Sequence, residues 1–121
     1  MSNELNFNEK YRIRTKALAV KIILFYSKYC KSSEELRVIG KQLLRSGTSV
    51  AANFRAATRA RSDAENYAKI CIVVEEADET LFWLEILEET KLLDIKLFAE
   101  IKQESSELLK IFAVTKKNMK K

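Results

Sequence analysis

Hydrophobic residues recur at intervals of three and four along almost the whole chain, which is the spacing of one face of an α-helix. The pattern predicts helices over about residues 5–31, 33–60 and 63–91, and a fourth that follows residue 94. Pro is absent and Gly occurs only twice, so the turn residues that separate short strands are missing. We therefore predict an all-α fold, an antiparallel up-down-up-down four-helix bundle, because short connections between long amphipathic helices favour it.

Three polar residues are candidate helix caps at the predicted boundaries. Ser32 is followed three residues later by Glu35, and Ser62 by Glu65. Both pairs have the spacing of a capping box, in which each side chain satisfies a backbone donor of the new helix. Asp94 is a candidate cap for the fourth helix.

The stretch RSGTSVAANFRAATRARSDAE interrupts this picture, because Gly, Thr and Ser in succession usually mark a loop. On a helix of about 100° per residue, however, the hydrophobic residues on both sides of Gly47 share one face. We therefore predict a continuous helix; a kink or a short 3₁₀ stretch at residues 47–49 is the alternative. Gly40 and Gly47 lie at the edge of this face, where small residues let another helix approach closely. The face comprises Leu36, Ile39, Leu43, Val50, Phe54 and Ala57.

Positive charge is concentrated in the first half of the chain and on one side of the second helix. Residues 1–61 contain 13 Lys and Arg against 4 Asp and Glu, a net charge of +9, whereas residues 62–121 carry −4. Five cations share a narrow arc opposite the hydrophobic face, and we call them the basic stripe: Arg37, Lys41, Arg45, Arg55 and Arg59. Arg12 and Arg14 would extend it.

Two interpretations of the basic stripe remain open. Arginine suits phosphate recognition because its donors form a fork, so the stripe is a candidate nucleic-acid-binding surface. The alternative is an ion-pair ladder with acids of the third helix, where Glu75, Glu76, Asp78 and Glu79 crowd one turn. Acids within an apolar helix need partners, and Asn53 is a further candidate partner for them.

The third helix is apolar on most of its circumference, through KICIVVEEADETLFWLEIL. A helix of this kind is buried on several sides. Two neighbouring helices cannot cover it completely in a small bundle. We therefore predict that part of this surface meets another subunit, and that the protein is a homo-oligomer.

Catalytic chemistry is not indicated. The chain has no His, which removes the commonest general base and metal ligand, and it has no glycine-rich phosphate loop. Cys30 and Cys71 are isolated, as expected of buried thiols in a reducing compartment. We expect no catalytic residue, no metal site and no cofactor.

The overall organisation is expected to be simple. We expect one domain over residues 1–121 with a frayed basic tail at about residues 115–121. The protein is expected to be cytoplasmic and without a membrane partner, because no apolar run approaches the roughly 20 residues that a membrane span needs.

The blocks LLRSGTSVAANFRAATRARS and EEADETLFWLEIL resemble the four-helix-bundle family of proteins encoded by intervening sequences in large-subunit ribosomal RNA genes. The resemblance covers the second and third helices, roughly residues 39–93. It implies an antiparallel bundle that assembles into a ring-like homopentamer without enzymatic activity. It also implies a relationship to the accessory protein of diversity-generating retroelements, in which a basic pentamer binds nucleic acid and a reverse transcriptase.

One departure from the family pattern makes this surface more positive. The pattern is Asn-x-x-Glu followed by Ala or Gly, whereas here Asn53 is followed by Phe54 and Arg55, and Ala56 occupies the position of the acid. Any role that depends on that acid is therefore not expected in this chain.

These observations predict a non-catalytic, oligomeric accessory protein that binds the backbone of RNA or DNA through the basic stripe. The alternative is a structural or protein–protein interaction module, in which the basic helix pairs with the acidic third helix and nucleic acid has no role.

Overall fold

Four α-helices make up most of the computed structural model, which describes the backbone of residues 3–119 and the side chains of residues 6–119. No strand occurs within residues 3–119. α1 packs on α2, α2 on α3 and α3 on α4, and lighter contacts between α1 and α4 complete the bundle. The predicted all-α four-helix bundle is confirmed. The helices are α1 (Asn3–Tyr29), α2 (Glu34–Thr58), α3 (Asp63–Thr90) and α4 (Ala99–Asn118), with a 3₁₀ turn (Ile95–Leu97) before α4.

Serine side chains cap the starts of α2 and α3, and the serine that caps α2 differs from the prediction. The Ser33 hydroxyl accepts a hydrogen bond from the Leu36 backbone N–H at 3.2 Å, so Ser33 and not Ser32 caps α2. Glu35 therefore falls in the first turn, where a carboxylate interacts favourably with the helix dipole. The predicted cap of α3 is correct, because Ser62 accepts from the Glu65 N–H at 3.1 Å.

The last connection is more irregular than expected. Asp94 accepts from the Lys96 N–H at 2.9 Å, but it caps the 3₁₀ turn, and α4 begins only at Ala99. The helix then continues to Asn118, into the segment that was expected to fray. Of the predicted tail, residues 120 and 121 lie outside the described part.

α2 is one continuous helix through Gly47, as its hydrophobic phase predicts. Both glycines are buried against α1. A Cβ atom at Gly40 would lie 2.7 Å from Cys30 Cβ and 2.8 Å from Tyr26 Cδ1, and one at Gly47 would overlap Ile22 Cδ1. The glycines therefore set a close approach of α1 to α2, and no kink is needed to explain them.

The hydrophobic face of α2 lies in the core as predicted, with Ile39 only half-buried. At the end of the bundle that holds the start of α1, the core becomes aromatic. The Phe54 and Phe112 rings lie 5.1 Å apart, and Tyr11 meets Phe112 edge-on at 5.8 Å. Phe7 approaches Phe54 at 6.4 Å near the surface.

Candidate nucleic-acid interface

The basic stripe does not behave as one unit, because its arc extends from the α1 side of α2 to the α3 side. Arg45 lies at the α3 edge. Its Nη1 is 3.3 Å from a Glu76 carboxylate oxygen, and its Nη2 donates to Glu79. Trp83 Nε1 also donates to the Glu79 carboxylate, at 3.1 Å. Arg45 therefore forms the interhelical ion pair that the alternative interpretation requires.

The hydrogen bonds within this pair change the titration of both partners. The bond to Glu79 raises the pKa of Arg45 above its usual value. The same bond, with a smaller contribution from Trp83, lowers the pKa of Glu79. At neutral pH both groups are charged, so the pair holds α2 against α3.

The other candidate partners of the acidic turn do not contact it. Glu75 and Asp78 are exposed on α3 and are solvated there. Asn53 instead donates through Nδ2 to the backbone oxygen and hydroxyl of Ser49, at 3.0 and 2.9 Å. The predicted pairing of Asn53 with these acids is therefore wrong.

Arg37 stabilises the connection between α1 and α2. Its Nη1 donates to the Lys31 carbonyl oxygen at 2.6 Å, and its Nη2 lies 3.9 Å from Glu34. The carbonyl of Lys31 lies just beyond the end of α1, where helix carbonyls lack intrahelical partners. Arg37 remains partly exposed while it makes this contact.

Lys41, Arg55 and Arg59 are the remaining members of the stripe, and all three are exposed. Among the side chains of residues 6–119, no carboxylate lies within 4.0 Å of their charged nitrogens. The ion-pair interpretation therefore describes Arg45 well, but it does not describe these three.

A groove between α1 and α2 brings further cations to Arg55. Its volume is about 310 Å³. Apart from its cations, the groove is lined by residues with short side chains. We call this the α1–α2 groove; it is lined by Arg12, Lys16, Thr48, Ala51, Ala52 and Arg55.

Lys16 was not among the predicted contacts. It lies one helical turn after Arg12, and it joins Arg55 only because this face of α1 meets α2. The i, i+4 spacing of Arg12 and Lys16 could have indicated a shared face, but not which helix that face adjoins.

Arg14 does not extend the patch, which corrects the expectation. Its guanidinium donates to both carboxylate oxygens of Glu104 on α4, at 2.6 and 2.9 Å, and Glu107 lies 3.5 Å away. The bond to Glu104 raises the pKa of Arg14 and lowers that of Glu104. Arg14 points away from α2 because it lies about 200° from Arg12 around the axis of α1.

Other kinds of site find no support in the described part of the chain. Within residues 3–119 no cluster of His, Cys, Asp and Glu has the arrangement of a metal site. No helix in that range is long and apolar enough to cross a bilayer. Cys30 and Cys71 are both free thiols.

Comparison with known proteins agrees with the fold and indicates no catalytic family. A search of curated proteins finds no match. A crystal structure of a protein of unknown function from the S23 ribosomal protein family, from Bacteroides thetaiotaomicron VPI-5482, is similar with a TM-score of 0.82 and 33% identity, over 92% of this chain and 98% of that one. The model of the 23S rRNA-intervening sequence protein family matches residues 9–113. The chain therefore belongs to the 23S rRNA-intervening sequence protein family.

Proposed function

We propose that this protein is a non-catalytic nucleic-acid-binding protein that contacts the phosphate backbone of RNA or DNA. The observation that carries the proposal is the α1–α2 groove, which Arg12, Lys16 and Arg55 line together with small residues. Arg59 and Lys41 lie on the same exposed side of α2 and enlarge the contact surface.

The electrostatics of α2 support a polyanionic partner. Arg55 and Arg59 are spaced i, i+4, and like charges at that spacing destabilise a helix by about 0.2–0.5 kcal/mol. Arg45 is compensated by the acids of α3, but Arg55 and Arg59 have no such carboxylate among the described side chains. A phosphate backbone would offset this repulsion through charge-assisted hydrogen bonds.

The proposed contacts read charge and shape, because phosphate contacts carry no sequence information. Affinity should therefore fall steeply with salt, by about 0.7–0.9 in logarithmic slope for each phosphate neutralised. Arg37 and Arg45 are held by their own protein contacts, Arg37 at the start of α2 and Arg45 at the edge that faces α3. We assign them a secondary role.

A salt titration tests the proposal. Labelled RNA and duplex DNA are titrated with the protein, and binding is followed by fluorescence anisotropy at several salt concentrations. The double variant Arg55→Glu, Arg59→Glu should weaken binding and reduce the salt slope by about 2. The matched control, Lys110→Glu with Lys117→Glu, changes the net charge equally on exposed positions of α4.

Two results would overturn the proposal. One is the absence of binding at low salt for both nucleic acids. The other is equal weakening by the two double variants, because the effect would then follow net charge and not the groove.

We also propose that the protein is a homo-oligomer. The family resemblance implies that the oligomer is a pentamer. Apolar residues on the outer face of α1 support this: Ile13 is 57%, Val20 48% and Leu24 64% exposed. They repeat at helical spacing and form a face that the bundle leaves uncovered. On α3, which motivated the oligomer from the sequence, Phe82 is 47% exposed.

The same apolar face is the observation that favours the alternative function, a structural or protein-interaction module. Light scattering tests the assembly, and a clean 14 kDa monomer at micromolar concentration would refute it. Val20→Glu with Leu24→Glu should dissociate the oligomer. The alternative function is the better description if two results are obtained together. The variant no longer captures a protein partner that the wild-type protein captures from cell extracts, and the wild-type protein binds RNA no better than background.

We propose that the protein is cytoplasmic. The free thiols of Cys30 and Cys71 support this compartment, because reducing conditions keep thiols unpaired. Fractionation of cells followed by immunoblotting checks the assignment.

A further inference from the structure

A second concave site lies at the end of the bundle where α1 and α3 begin and α2 and α4 end. Its volume is about 310 Å³, at the lower limit of the roughly 300–1,000 Å³ typical of small-ligand pockets. Its inner wall is apolar and aromatic, formed by Phe54 and Ile70, with Phe7 nearer the surface. We call it the end pocket; its polar lining residues are Asn8, Thr58, Asp63, Asn66 and Thr115.

The polar groups of the end pocket differ in what they offer a ligand. The hydroxyls of Thr58 and Thr115 donate to backbone carbonyls of their own helices. Asn66 donates through Nδ2 to the Ala57 carbonyl oxygen at 2.7 Å, which leaves its Oδ1 as an acceptor. Among the described residues, neither Asn8 nor the Asp63 carboxylate has a side-chain hydrogen-bond or ion-pair partner. The rim therefore presents mainly acceptors, one of them an anion.

The end pocket adjoins the proposed phosphate-binding surface. On α1, Asn8 precedes Arg12 of the α1–α2 groove by four residues, a rise of about 6 Å along the helix. On α2, Thr58 lies three residues after Arg55 and directly before Arg59. A strand whose phosphates follow the groove toward this end would carry a base to the mouth of the pocket.

We propose that the end pocket binds one unpaired guanine base of single-stranded RNA, an inference that rests on the proposed function for its partner. The Watson–Crick edge of guanine carries two adjacent donors, N1–H and the N2 amino group. A carboxylate accepts both in the paired geometry that makes such contacts strong, so Asp63 selects guanine over bases with a single donor there. Phe7 is the aromatic ring that can receive the base, because it is partly exposed whereas Phe54 is only 1% exposed. The base must leave its stack to enter.

Binding of a mononucleotide tests the end pocket without the groove. Guanosine monophosphate and uridine monophosphate are titrated into ¹⁵N-labelled protein, and the side-chain amide signals of Asn8 and Asn66 are followed by NMR. Guanosine monophosphate should produce saturable shifts of both signals, with an affinity about tenfold or more above that of uridine monophosphate, the discrimination of one paired base contact. Equal shifts by both nucleotides, or none by either, would overturn the inference.

Asp63→Asn is the decisive variant, because it replaces one acceptor oxygen with a donor and keeps the shape. It should remove the preference for guanosine monophosphate. Asp78→Asn is the matched control, another exposed Asp of α3. If Asp63→Asn and Asp78→Asn leave the preference unchanged, Asp63 does not read the base and the proposal fails.

Binding to strands separates this inference from the proposed function. Short oligouridylates with and without one central guanosine are compared by anisotropy. Arg55→Glu with Arg59→Glu should weaken both strands, whereas Asp63→Asn should remove only the gain from guanosine. Salt-dependent binding of both strands without any gain from guanosine overturns the end pocket alone. A guanosine monophosphate preference without binding of oligouridylate supports the end pocket and overturns the groove.

Discussion

Replacing Gly47 with alanine should destabilise the protein or leave its stability unchanged, although alanine is the better helix former. The intrinsic preference favours the variant by about 1 kcal/mol in a helix interior. Against this, the new Cβ would overlap Ile22 Cδ1, and Ile22 is fully buried. Overpacking of a filled core costs about 1–3 kcal/mol. The free energy of unfolding should therefore fall by about 0–2 kcal/mol, the difference of these two terms.

A double-mutant cycle isolates the steric term. Ile22→Val removes the Cδ1 atom and should itself cost about 0.5–1.5 kcal/mol. The next atoms of Ile22, Cγ2 and Cγ1, lie at 3.4 and 3.6 Å from the position of the new Cβ. In the Ile22→Val background, Gly47→Ala should thus become stabilising by about 1 kcal/mol. The expected coupling equals the removed overpacking, about 1–3 kcal/mol.

Urea denaturation followed by circular dichroism measures the free energy of unfolding of the wild type, the two single variants and the double variant. One fixed protein concentration is used, because the stability of an oligomer depends on concentration. Gly40→Ala is the matched control. Its new Cβ would meet Cys30 Cβ at 2.7 Å, which shortening of Ile22 does not move, so its cost should be equal in both backgrounds. If Gly47→Ala also costs the same in both, close packing against Ile22 does not explain the glycine.

Two further predictions concern the helix start and the tie between α1 and α4. Ser33→Ala should lower stability by about 1 kcal/mol through loss of the α2 cap, whereas Ser32→Ala should change it little; equal losses in urea denaturation would contradict the capping assignment. The Arg14 guanidinium lowers the pKa of Glu104, so this carboxylate stabilises the fold above its unfolded pKa, and the contribution disappears as pH falls through the folded pKa. Glu104→Gln should reduce the loss of unfolding free energy at acid pH by about 1 kcal/mol or less. Urea midpoints that keep the wild-type pH dependence would show that the Arg14–Glu104 pair is not responsible.

The fold was predictable because each helix carries its own periodic pattern. The continuity of α2 followed from local information alone, since the phase of the hydrophobic face agrees on both sides of Gly47. The α2 cap was misassigned because two adjacent serines both stand close before an acidic first turn. Only the hydrogen bond to the Leu36 N–H distinguishes them.

The candidate site was only partly predictable, because it depends on how helices pack. The wheel placed Arg55 and Arg59 on one arc, but it could not tell that Arg45 at the edge of that arc meets Glu79. Lys16 joins the groove through the packing of α1 on α2. The end pocket combines residues from four helices, and these residues are far apart in the sequence. No local sequence pattern therefore predicts it.

The order of helices in the bundle turns the charge asymmetry of the chain into a permanent electric dipole. Residues 1–61, with a net charge of +9, contain the adjacent helices α1 and α2, and residues 62–121, with a net charge of −4, contain α3 and α4. A molecule polarised in this way rotates in the field of a polyanion before contact, so the proposed binding of a nucleic-acid strand would begin with the groove already facing that strand. The separation of charge thereby acts on the rate of association, and high salt should slow capture of the strand even where the final contacts are unchanged.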